Sequence, residues 1–170
     1  MRRFQDYYLR PGLQFARFIA LYPNCSTRYQ HDEQLVDRPV HIFHGALDDF
    51  NNVEPCQRYV ARANAAGADV ALTVYPGAHH VFDWDGFADP YWSPDNQSTR
   101  HCQIEEAVHG VLINQETGQL FSYHDACVVR GTTAAYDATA AHAMADAIKA
   151  LLISESALAD PAKATPAHGQ

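Results

Sequence analysis

The sequence predicts an α/β fold, a predominantly parallel sheet flanked by helices with a β-hairpin insertion, on three observations. Three nearly continuous apolar runs, Phe15–Tyr22, Val40–His44 and Val70–Tyr75, each end at Pro or Gly, as suits strands buried on both faces. A helical pattern joins the last two through short links, the order of a βαβ unit with its right-handed crossover. Of 170 residues, 47% are apolar and only 19% charged, enough apolar surface to offset chain entropy and form one domain.

Taken in order, Phe15–Tyr22 is stopped by Pro23, and Val40–His44 follows Pro39 and ends at Gly45. Cys56, Tyr59, Val60 and Ala63 then fall at helical spacing, with Asn52 or Glu54 as the cap, Pro55 in the first turn and Gly67 as the left-handed stop. Val70–Tyr75 closes the unit at Pro76-Gly77. Val108–Ile113 and Leu120–Tyr123 flank a turn with Gly118 at the position needing positive φ, a hairpin signal. A last helix starts at Asp137 as N-cap and runs to about Ile153, with Ala141, Met144, Ala145, Ile148, Leu151 and Leu152 on its apolar face. Residues 1–153 are expected to form the folded portion and 154–170 a disordered Ala/Pro-rich tail.

With 12 Lys+Arg against 20 Asp+Glu the net charge is −8, and the resulting field repels phosphate, so neither nucleic acid nor an anionic membrane surface is an expected partner. No run approaches the ~20 apolar residues that span a bilayer. Met1-Arg2-Arg3-Phe4-Gln5-Asp6 lacks the apolar core of a signal peptide. The compartment stays open, with the cytoplasm as the default expectation.

Reactive groups of an open α/β sheet sit in loops at the carboxyl ends of its strands. Two such loops stand out: His44-Gly45-Ala46-Leu47-Asp48-Asp49, and Tyr75-Pro76-Gly77-Ala78-His79-His80-Val81-Phe82-Asp83. An acid and a histidine on successive strand ends match the Asp-then-His order of a hydrolytic triad. In that role the acid fixes the imidazole tautomer, and the imidazole relays the nucleophile's proton to the leaving group.

These two segments, together with Ile19-Ala20-Leu21-Tyr22-Pro23-Asn24-Cys25, resemble the dienelactone hydrolase family of α/β-hydrolases in residues and in spacing. Gly131-Thr132-Thr133-Ala134-Ala135-Tyr136-Asp137 and the closing helix are similar too. The resemblance covers about Phe15 to Leu152 and corresponds to the C-terminal half of the family's domain, which implies a partial α/β-hydrolase. It implies hydrolysis of a small-molecule ester or lactone through an acyl-enzyme, without cofactor or metal. Asp48 matches the triad acid and His80 the triad histidine. The family's nucleophile stands in a Gly-x-Cys/Ser-x-Gly elbow ahead of the first strand, and no Ser or Cys of this sequence occupies such an elbow. The expectation is therefore a chain carrying two of three triad members and nearly inactive alone. Its rivals are a non-catalytic remnant or binding fragment, and a peptidase-like hydrolase fragment. Without an upstream neighbour Phe15–Tyr22 becomes an edge guarded only by Arg17, so self-association is expected.

Other residues have plainer readings. A structural His80–Asp48 pair is the alternative to a triad. Asp49 is a turn cap or a neighbour with no assigned role, His79 is a neighbour with no assigned role, and His44 is a packing residue at a strand end. A metal site from His44, Asp48 and His79 has no ligand-spacing motif behind it. Cys56 is a core thiol by default, and no local pattern joins it to Cys25. Cys102 and Cys127 flank the hairpin; a disulfide ranks first, free thiols second and a zinc site with His101 and His124 third. Phe82, Trp84, Phe87, Tyr91 and Trp92 read as a cover for the sheet end, or as a lid or acyl-pocket wall.

Overall fold

In a computed structural model of the chain, the structure describes residues 9–10, 13–35 and 37–158. The expectations for Met1–Asp6 and for residues 159–170 lie outside these. The parallel sheet has the order β1-β3-β4, formed by β1 (Phe18–Leu21), β3 (Val40–Gly45) and β4 (Val70–Tyr75). Helix α1 (Val53–Ala65) makes the crossover between the last two. Phe18 pairs with Val40 and Leu21 with Phe43, while Val40 pairs with Val70 and Gly45 with Tyr75.

The apolar runs are continuous because alternate side chains serve opposite faces. Val40 and Ile42 face Ala63 of α1, with Phe18, Ala20, Tyr59 and Val60 packed alongside. Phe43 faces the other way onto Ala78, Phe82, Ala140 and Met144, joined by Ile19, Leu21, Ile148 and Leu151. The second face is covered by α2 (Ala138–Leu158). Asp137 caps α2 as expected, its Oδ1 accepting the Ala140 N–H at 3.0 Å. The helix runs to Leu158, so residues 154–158 continue it and are not tail. Leu152 falls off the apolar face and is 52% exposed. For α1, Asn52 is the N-cap in extended conformation, without a side-chain hydrogen bond, and Gly67 sits at φ +90° beyond the C-terminus.

Outside the parallel sheet the chain departs from the expected pattern. β2 (Thr27–Arg28), β6 (Ile104–Glu106), β7 (Leu112–Asn114) and β8 (Gln119–Leu120) form a second sheet in the order β2-β6-β7-β8. β5 (Tyr91–Ser98) and β9 (Val129–Ala134) pair antiparallel. Parallel pairing therefore dominates only the central sheet. The predicted hairpin exists but is shorter: β7 and β8 meet at Ile113–Leu120 and Asn114–Gln119, and Gly118 takes φ +68°. Val108–Gly110 is a 3₁₀ turn because His109, at φ 59°, breaks the strand. Under this sheet Cys102, Ile104 and Cys127 form a small apolar cluster with Leu112 and Phe121.

All four cysteines are oxidised. Cys102–Cys127 is a disulfide with Cα atoms 4.9 Å apart, the first-ranked of the three readings. Cys56 is not a free core thiol; it is bonded to Cys25, Cα to Cα 5.0 Å, pinning the segment after β1 to α1. Among the described residues no helix is long and apolar enough to cross a membrane.

Candidate active site

The carboxyl ends of β3 and β4 bring Asp48 and His80 together. Gly45 closes β3 against the next loop: a β-carbon there would overlap the backbone carbonyl of Ala78, so only glycine allows the approach. The two loops are then tied by backbone bonds, Ala46 N–H to Tyr75 O and Leu47 N–H to Ala78 O, each 2.9 Å.

Asp48 is buried. Its Oδ1 accepts the backbone N–H groups of Phe50 at 2.9 Å and Asn51 at 2.7 Å. Its Oδ2 lies 2.9 Å from His80 Nδ1. An ionised carboxylate only accepts, so Nδ1 is the donor of this bond, and in the neutral ring the lone pair is then on Nε2. Nε2 makes no hydrogen bond to the described residues, and the His80 side chain is 18% exposed. The imidazole lies between two aromatic rings, Tyr22 at 4.7 Å edge-on and Phe50 at 4.8 Å tilted. This arrangement fixes the orientation of the ring, with Nδ1 toward the acid and Nε2 on its opposite side.

The surroundings are strained and well bonded. Tyr22 at φ 37° and Val81 at φ 59° are non-glycine residues in the left-handed region, one packed on His80 and the other following it; each costs about 1–3 kcal/mol. Asn51 Nδ2 donates to Tyr22 O at 3.0 Å, and the Tyr22 hydroxyl to Asp83 at 3.2 Å. Burial first, and then the Asp83 charge, push the Tyr22 phenol up to about 12, which keeps it a neutral donor.

The remaining candidates part ways. His44 is fully buried, its Nδ1 3.0 Å from Gly45 O and 3.9 Å from Asp48 Oδ2, so it packs behind the acid. His79 makes no hydrogen bond to either member of the pair, and its Nδ1 is buried without a hydrogen bond. Asp49 bonds to Thr133 instead of capping its own turn. Among the described residues no three His, Cys, Asp or Glu side chains gather to hold a metal. Both cysteine pairs are disulfides, which closes the zinc reading and leaves no thiol beside His80. Of the aromatic group, Phe82 is buried core in contact with Tyr22 and Tyr75, whereas Trp84, Tyr91 and Trp92 are exposed.

Tyr22, Phe50, Asn51 and Thr133 are site neighbours that sequence reasoning did not single out. Tyr22 left a signal by standing at the end of an apolar strand run and Thr133 by its place in the Gly131–Asp137 segment, whereas Phe50 and Asn51 left none.

A family model described as the dienelactone hydrolase family matches residues 7–151. Neither the curated proteins nor the solved structures contain a match.

Proposed function

This chain belongs to the dienelactone hydrolase family, and from that premise we propose that Asp48 and His80 are the acid and base of a carboxylic ester or lactone hydrolase working through an acyl-enzyme. The family supports a hydrolase in general terms; the finer reading rests on one observation, the 2.9 Å contact between His80 Nδ1 and the buried Asp48 carboxylate. In this reading Nε2 takes the proton of an attacking hydroxyl or thiol as it adds to the substrate carbonyl. The imidazolium, stabilised by Asp48, then protonates the leaving alcohol. Water deacylates the enzyme by the same relay.

The nucleophile is proposed to come from outside the described side chains, because no serine hydroxyl bonds to Nε2 and every cysteine is oxidised. The chain is proposed to correspond to the C-terminal half of the family's domain, on the order of its strand-end motifs. The same observations favour a second reading, a non-catalytic fragment that keeps the pair as structure.

Hydrolysis of an activated aryl ester and a small lactone separates the two. With water as the only nucleophile, the acceleration is expected to stay below the ~10²-fold typical of a positioned general base. It should fall to the uncatalysed rate in both His80→Ala and Asp48→Ala. Equal rates in the wild type and these variants contradict the reading.

A further inference from the structure

Asp49 takes no part in the contact with His80, yet it is among the most specifically bonded carboxylates of the chain. One residue holds both of its oxygens: Oδ1 accepts the Thr133 N–H at 2.6 Å, and Oδ2 the Thr133 hydroxyl at 3.0 Å. An aspartate that merely stabilised its turn would bond within the loop, as Asp48 does to Phe50 and Asn51. Asp49 reaches 84 residues along the chain instead.

Three further bonds tie the acid loop, β5 and β9 together. Arg100 Nη1 donates to the carbonyl of Asp49 and, at 3.0 Å, to that of Gly131. The Ser98 hydroxyl donates to Phe50 O at 2.6 Å. The residue after Thr133 on β9, Ala134, is the bridge partner of His80, and the Ala135 N–H donates to His80 O at 3.3 Å. The acid loop and the base loop thus hang from adjacent residues of one strand.

We propose that Asp49 is a positioning residue: its two-point grip on Thr133 sets where Asp48 stands relative to His80. The proposal rests on the reading of Asp48 and His80 as the acid–base pair. A carboxylate suits the task because Thr133 offers two donors side by side. Asparagine can serve both groups as well, its oxygen accepting the N–H and its amide donating to the hydroxyl oxygen. Alanine can serve neither.

The test follows the proton on His80 Nδ1 by NMR in the ¹⁵N-labelled chain, with unfolding curves recorded for each variant. In the wild type this proton is expected far downfield and slow to exchange with water, and in Asp48→Ala it should vanish. In Asp49→Ala it should exchange about tenfold faster while unfolding stays cooperative, the scale set by the net worth of about one hydrogen bond. Asp49→Asn should restore slow exchange. Thr133→Val, which keeps the backbone donor and the side-chain shape, should show faster exchange too, and it decides the matter if Asp49→Ala does not fold. Unchanged exchange in Thr133→Val or in a folded Asp49→Ala overturns the proposal and leaves Asp49 purely structural. A proton indifferent to Asp48→Ala instead removes the acid–base pair itself, a different failure with a different signature.

Discussion

Tyr22 shows how one side chain near the pair couples to pH. Its folded value of about 12 lies above the ordinary tyrosine value of about 10, so the folded state holds the proton more tightly than the unfolded chain does. That contribution to stability is complete below pH 10 and is lost as pH rises from about 10 through 12. Denaturant unfolding at stepped alkaline pH should therefore show the wild type losing more stability than Tyr22→Phe across this window. Parallel losses would mean that the phenol is not held by burial and Asp83. At this scale the sequence was legible for Asp48 and His80, because residue type and strand-end placement suffice to suggest an acid and a base. Only the family resemblance chose between the two adjacent aspartates. Which of them faces the histidine depends on the backbone bonds that turn Asp48 inward and send Asp49 to Thr133, and no spacing rule encodes them.

Among the elements, the long apolar strands were readable and the short ones were not. β3 is packed on both faces, and β4, though Ala71 and Thr73 are exposed, is a nearly continuous apolar run of six residues, so their residue types alone announce them. β2, β6 and β8 are two or three residues long, and β5 is mostly exposed, too little for an alternating pattern to emerge. A disulfide ranked first for Cys102 and Cys127 because they flank the hairpin, and it forms although β6 turns back along β7 and breaks that register, whereas Cys25–Cys56 joins a loop to a helix through tertiary packing. By the chain-entropy account, closing these 25- and 31-residue separations contributes about 3.5 kcal/mol each. Element-scale exposure also motivates a prediction about β1. Among the described residues β1 pairs with β3 alone. The N–H groups of Phe18 and Tyr22 point to β3, so those of Ile19 and Leu21 point away from it and offer a template for pairing. We expect concentration-dependent self-association in sedimentation, reduced by Ile19→Pro, which removes one outward donor without touching a bond to β3. A wild-type chain that sediments as a monomer and unfolds cooperatively would end this proposal.

Across the whole molecule, a strand far along the chain completes what the βαβ unit begins. β3 and β4 supply the loops that carry Asp48 and His80, and β9 fixes both loops from the side. The sequence conveyed the first part through periodicity. The second depends on contacts between residues some 50 to 85 positions apart, which single-chain patterning does not express. The central claim is that this arrangement is a working acid–base pair awaiting a nucleophile that the described side chains do not supply. Single-turnover mixing of the chain with an activated aryl ester, read by product release and by mass spectrometry of the intact protein, tests it most directly. The account predicts slow release that disappears with His80→Ala, no stoichiometric burst, and no acyl adduct on the chain. A burst of one equivalent with a His80-dependent acyl adduct on a residue of this chain would contradict it.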